Sequence, residues 1–312
     1  GCGGDGVALA LALALAAAHA RGERLRAHRG EGRLLCRLEP PAAGGGDRIL
    51  EVWEQPGNVR LAEFQDTGSF ESRVHCRGNA PTCPAADPSA ATDVAACAAC
   101  PCELDDSRDT SESERAIVGA VAPRCQAAAP ADVLLLGLGG GVVHTMLRRS
   151  CPAGLRLRSA EIDPRFAAIA SQFFGLPLEP GASEVVVGDA LAVVRRELRA
   201  LGARASAPAL VAEGPGPAAL GAAGWDAVVV DCFVGKGRSA ELVDDIKGLL
   251  KPGGMVVHHM WHASPEDERV APEFQATLQE YRRSFGPDRV EVQPIFRENP
   301  DLRLDDIILV HA

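Results

Sequence analysis

The sequence predicts an α/β protein, a Rossmann-like, doubly wound, mostly parallel seven-stranded sheet preceded by a small antiparallel β-domain. From Ala131 onward, short apolar runs alternate with helix-period segments, the pattern of strands joined by crossover helices. Ahead of them, Ile49-Leu50-Glu51-Val52-Trp53 and Val59-Arg60-Leu61-Ala62-Glu63-Phe64 flank Pro56-Gly57-Asn58, two strands around a turn. A 312-residue chain with 46% apolar residues has enough material for one large domain and a smaller one.

Residues 1–47 read as a leader and linker. The apolar run Val7 to Ala18, followed by His19-Ala20-Arg21, has the features of a secretory signal core and cleavage site, or else is an Ala/Leu-rich tail. It is too short to span a bilayer. The secretory pathway or an organelle lumen is therefore one expected location, and the cytoplasm is the other. Residues 21–47 show no sustained period, and no core is expected there. Residues 48–76 form the small β-domain, with Phe70 to His75 as a third strand. Such a sheet cannot stand alone, so it needs either the larger domain or a second copy of the chain, which would make a homodimer.

Residues 77–111 form a Cys-bearing linker. Six of the ten cysteines, Cys76, Cys83, Cys97, Cys100, Cys102 and Cys125, lie within fifty residues. The spacing Cys97-x-x-Cys100-x-Cys102 could ligate zinc, but it lacks a second pair and any nearby His except His75. Disulfides are favoured over metal ligation and over free thiols, with connectivity left open.

Residues 112–312 form the large domain. Ser111-Glu112-Ser113-Glu114 opens a helix towards Val121. Strands are expected at 132–137, 155–161, 184–187, 226–231, 254–259, 288–295 and 304–311. Helices are expected at 142–149, 164–173, 190–201, 239–250 and 271–284. An Ala/Gly/Pro insertion occupies 202–224. The formal charge of −10, with no Lys or Arg run longer than two, gives no footprint for a nucleic-acid backbone and suits a small or cationic partner.

The candidate chemistry sits at strand tips. Gly137, Gly139 and Gly141 follow a buried strand and open a helix, where absent Cβ atoms let a ligand approach the backbone. A dinucleotide turn wants a third glycine where this chain has Val142, which disfavours a nicotinamide cofactor. Glu161, at the tip of the next strand, can accept both hydroxyls of a ribose, and Asp163-Pro164 reads as a helix cap. Asp189, followed by Ala190, can bond an adenine amine or cap its helix. Asp231 ends an apolar strand at the same edge, where it can orient or deprotonate an acceptor, or else cap or hydrogen-bond its loop. In His258-His259-Met260-Trp261-His262, structural or solvated histidine competes with a general base, and metal binding by His259 and His262 is weaker. No metal site is assigned.

Together these segments resemble the spermidine-synthase-like branch of the class I methyltransferase fold. The resemblance covers residues 48–76 and 112–312. It rests on Leu134 to Gly141, Glu161-Ile162-Asp163-Pro164, Phe173 to Pro177, Gly188-Asp189-Ala190, Asp231 and Leu250 to Gly254, together with the front piece carrying Val59-Arg60-Leu61 and Glu71-Ser72. It implies a co-substrate, S-adenosylmethionine or its decarboxylated form, held by Gly137, Gly139, Gly141, Glu161, Asp189 and Ala190, with Asp231 as the catalytic residue. The sequence departs from the family in three places. The family's Asp within the glycine turn, which holds the aminopropyl amine, is Gly140 here. Its second loop Asp is Val234. Its Tyr-His-Glu run is absent, and the only tyrosine is Tyr281. Methyl transfer to a small-molecule acceptor is therefore expected ahead of aminopropyl transfer to a polyamine, and a non-catalytic nucleoside-binding module is the third expectation. No membrane span is expected.

Overall fold

In the computed structural model, the described residues are 32–40, 48–64, 70–78, 83, 94–105, 107, 111–126, 130–151, 154–206, 224–232, 238–261, 271–296 and 303–312. The signal-like segment, Val234, His262 and most of the 202–224 insertion lie outside them. Four strands come first, β1 (Arg33–Leu38), β2 (Leu50–Gln55), β3 (Val59–Phe64) and β4 (Phe70–His75), followed by helix α1 (Glu112–Val121). Alternation then sets in with β5 (Ala131–Leu136), α2 (Val142–Ser150), β6 (Leu155–Glu161), α3 (Pro164–Phe174), β7 (Ser183–Val187) and α4 (Ala190–Ser206). It continues through β8 (Trp225–Val230), α5 (Ser239–Leu249), β9 (Leu250–Trp261), α6 (Ala271–Phe285), β10 (Val290–Phe296) and β11 (Arg303–His311).

The large sheet has the order β10-β11-β9-β8-β5-β6-β7, and β11 runs antiparallel to both of its neighbours. Its strands are apolar because helices cover both faces. Along β5, Val133 and Leu135 join the core with Ile117 of α1, Leu147 of α2 and Phe166 of α3. Leu134 and Leu136 join the opposite core with Val194 of α4, Ile246 of α5 and Leu278 of α6. Each such side chain contributes on the order of 2 kcal/mol by leaving water. Among the described residues, no helix is long and apolar enough to cross a membrane.

The small sheet is an antiparallel meander in the order β1-β2-β3-β4. Its first strand corrects the expectation that residues 21–47 hold no core, since Leu35, Cys36 and Leu38 are buried. A register shift between Leu34 and Cys36 places two consecutive residues inward, which erases the period-2 signal. The sheet leans on α3. Phe64 meets Phe166 edge-on at 5.8 Å between centroids, and the Arg165 guanidinium donates to the carbonyls of Glu39 and Arg48 at 3.2 and 2.6 Å.

The cysteine segment completes that interface. Disulfides join Cys36 to Cys97, Cys76 to Cys102, and Cys83 to Cys100, and a fourth joins Cys125 to Cys151. The thiols of Cys97, Cys100 and Cys102 are thus all bonded to sulfur, and the zinc alternative is set aside. Beneath them Arg60 is fully buried. It donates to the carbonyl of Phe173 at 2.7 Å and to the Cys83 sulfur at 3.0 Å, and it also bonds the carbonyl of Cys100. One cation therefore ties β3, the cysteine segment and the end of α3 together.

Two buried histidines give stability an acid limit. His144 pairs through Nδ1 with the Ser159 hydroxyl at 2.8 Å, and His258 pairs through Nδ1 with the Tyr281 hydroxyl at 3.0 Å. Burial pushes them down to about 4 and about 3 respectively. An unfolded histidine protonates near 6.5, so the unfolded state binds more protons and the folded state loses stability as pH falls below that value. Each unit is worth about 1.4 kcal/mol. Glu114, raised to about 7, acts in the opposite sense over the same window. Urea unfolding at pH 7 and pH 5 is expected to show about 2 kcal/mol of pH-dependent loss carried by His258. A loss of the same size in His258→Asn would contradict the assignment.

Candidate active site at the C-terminal edge of the large sheet

Strand order reverses between β5 and β8, so the loops leaving these strands diverge and open a crevice at their C-terminal ends. The glycine turn lies on one side and Asp231 on the other. Gly137 has φ +100°, and a Cβ there would lie 2.1 Å from the Asp231 carbonyl oxygen. Its lack of a side chain therefore lets the turn close against the β8 tip. Gly139 donates its N–H to Glu161 Oε2 at 3.0 Å, as does Leu138 at 3.1 Å. Gly141 caps α2 from a left-handed conformation and donates to the Leu138 carbonyl at 2.9 Å.

Gly140 meets the small sheet. Its N–H donates to the Ser72 hydroxyl at 2.5 Å, and a Cβ at this position would lie 2.8 Å from the Ser72 Cβ. Strand β4 thus abuts the glycine turn.

Glu161 sits at the tip of β6 as expected, buried, with its other oxygen accepting the Asp163 N–H at 2.9 Å. Burial raises its pKa, and the three backbone donors oppose the rise. A carboxylate offers about four acceptor positions, so roughly one remains for a ribose hydroxyl rather than the two expected. Asp163 caps α3 through the Arg165 N–H at 2.9 Å, the structural role assigned to it. Asp189 accepts the Ala192 N–H at 3.1 Å, ahead of Ala190, the first residue of α4. Arg238 also grips it with two hydrogen bonds of 3.0 Å, which hold the carboxyl below the usual range. Any adenine amine at Asp189 would share that carboxylate with Arg238.

Asp231 is joined to His259, with Oδ1 and Nδ1 2.8 Å apart. Strands β8 and β9 are parallel, and Val230 registers with His258, so the next residues along each strand fall side by side. Alternation along β9 sends His258 into the core with Tyr281 and leaves His259 on the opposite face with Met255 and Val257. The sequence placed Asp231 and His259 at the same edge but did not pair them. Counting equal distances along the two apolar runs is the signal that would have done so. Ser72 and Arg238, which contact Gly140 and Asp189, were missed. Desolvation pushes the thiol of Cys232, beside Asp231, up to about 12, which disfavours its thiolate.

The chain has the fold of solved spermidine synthases, a Rossmann-like α/β sheet with a four-stranded antiparallel sheet in front. Its solved neighbours include the probable spermidine synthase from Corynebacterium glutamicum ATCC 13032, 16% identical with a TM-score of 0.53 over 87% of this chain and 80% of that one. The spermidine synthase from Thermotoga maritima is 10% identical, with a TM-score of 0.54 over 89% and 72% of the two chains. A spermidine synthase in complex with the transition-state analogue AdoDATO is 10% identical, with a TM-score of 0.56 over the same shares, 89% and 72%. At these identities the likeness is one of fold. No protein-family model matches the sequence, and no curated protein matches it.

Proposed function

We propose that the chain transfers a methyl group from S-adenosylmethionine to a nucleophilic atom of a small-molecule acceptor. The observation that carries this proposal is the Asp231–His259 pair, 2.8 Å apart beside the glycine turn. The AdoDATO-bound spermidine synthase, with a likeness covering 89% of this chain, speaks for an adenosyl donor. The residues fit such a donor: Glu161 keeps an acceptor position for a ribose hydroxyl, Asp189 and Ala190 lie at the adjacent strand tip for the adenine, and the turn of Gly137, Gly139 and Gly141 borders the crevice.

The positive sulfur of the donor makes its attached carbon electrophilic. The chain's task is then to orient the nucleophile and remove its proton. Asp231 Oδ1 holds the Nδ1 hydrogen of His259, which leaves Nε2 as the basic nitrogen. As the acceptor lone pair bonds the methyl carbon, the carbon–sulfur electron pair returns to sulfur and the acceptor's proton passes to His259. Asp231 stabilises the resulting imidazolium.

Aminopropyl transfer from the decarboxylated donor is a second reading, favoured by the spermidine synthases whose likeness spans 87–89% of this chain. Gly140 speaks against it: an acid at this position, where the family resemblance places the anchor for the aminopropyl amine, would collide with Ser72. Calorimetry with S-adenosylmethionine, its decarboxylated form and the demethylated product tests the choice. The first and third are expected to bind more tightly than the second. Preference for the decarboxylated form would overturn methyl transfer, and no binding to any would favour a non-catalytic module.

A further inference from the structure

We propose that Glu114 is a positioning residue of this site, the third member of a proton-holding cluster with Asp231 and His259, and that its charge governs how firmly the imidazole keeps a proton. This rests on the base role proposed for the pair.

The path of the chain places Glu114 there. Helix α1 ends at Val121 and passes through a short 3-10 turn, Ala122–Gln126, towards Ala131, the first residue of β5, at the N-terminal ends of the parallel strands. It therefore runs against the parallel strands, and its first turn lies at their C-terminal edge. The helix packs across β9, β10 and β11. Its Ile117 and Val118 share a core with Met255 and Val257, the residues that precede His259 on the same face of β9.

A reciprocal cap then fixes the side chain. The Ser111 N–H donates to Glu114 Oε2 at 2.8 Å, and the Glu114 N–H donates to the Ser111 hydroxyl at 3.2 Å. Among the described residues, the charges that act on this carboxyl from other elements are Asp231, beyond the tip of β8, and His259, from β9, while its own helix adds the Ser111 amide and hydroxyl. Burial pushes the carboxyl up to about 7; Asp231 adds to the rise and His259 opposes it.

Such effects are mutual: a charge on Glu114 favours a proton on His259, and a protonated His259 favours an ionised Glu114. The charges on Glu114 and His259 are therefore coupled. A charge on Glu114 thus adds to that of Asp231 in retaining on the imidazole a proton removed from an acceptor.

The test needs no acceptor. In the full chain labelled with ¹³C-histidine, the His259 imidazole is followed by NMR between about pH 5 and pH 9, a window spanning the histidine titration, and is assigned with His259→Asn. Glu114→Gln keeps an oxygen for the Ser111 amide and deletes only the charge. Its His259 midpoint is expected to fall by at least about 0.5 unit relative to wild type. Glu114→Asp, which keeps the charge, is expected to hold a midpoint above that of Glu114→Gln. Superimposable wild-type and Glu114→Gln curves would overturn the proposal, as would an equally low midpoint in Glu114→Asp. Failure of donor binding would sink the transferase reading instead and would leave this titration standing.

Discussion

Asp231→Asn is expected to lower turnover by about 10²- to 10⁴-fold, the range lost with a general base, while leaving donor affinity nearly intact. The substitution preserves shape and leaves the backbone contacts that support the turn: the Asp231 N–H still reaches the Leu136 carbonyl at 2.8 Å, and its own carbonyl still abuts Gly137. The negative charge that stabilises a protonated His259 is what disappears. A neutral amide can also present its NH₂ to Nδ1 and so select the opposite tautomer. Label transfer from S-adenosylmethionine, with a small-molecule extract as acceptor source, reads turnover, and calorimetry reads donor affinity. Turnover equal to wild type would remove Asp231 from the mechanism.

Replacing Cys36 and Cys97 together with Ala is expected to lower the unfolding free energy by about 4 kcal/mol. The bond closes a separation of 61 residues, and freeing a loop of that size restores a large conformational entropy to the unfolded chain. It also joins the edge strand β1 to the segment that lies over Arg60. Cys83–Cys100 spans 17 residues, so its removal is expected to cost less, about 3 kcal/mol. Urea unfolding without reductant measures both. Equal midpoints for wild type and the Cys36/Cys97 variant would show that the bond does not restrict the unfolded chain.

The strands that hold the site were legible because they are buried on both faces. Ala131–Leu136 and Trp225–Val230 are almost uninterrupted apolar runs, and each delivers its glycine or carboxylate to the same edge. Strand β1 was not legible, since its bulge breaks the alternation that identifies a half-buried strand. The site residues were found one at a time, while their partners were hidden by distance along the chain. Gly140 meets Ser72 from 68 positions away, Asp189 meets Arg238 across 49, and Asp231 meets His259 across 28. The last pairing depends on the register of two parallel strands, which no local pattern specifies. Glu114 was read as the start of a helix, and that remains true. Its second role follows only from the direction in which α1 crosses the sheet.

The lean of the small sheet on α3 governs how the protein can be assembled as it is made. The meander of β1 to β4 leaves the ribosome well before Phe166 and Phe173, the aromatic residues that complete its core. At roughly 5–20 residues per second, the roughly 100 residues between β4 and the end of α3 take on the order of 5–20 s to appear. In that interval the apolar face of the meander lacks the cover that Phe166 and Phe173 give it in the folded chain. Correct pairing thus competes with every other thiol within reach, and an oxidant acting before α3 arrives would set wrong bonds ahead of the surface that selects the right ones.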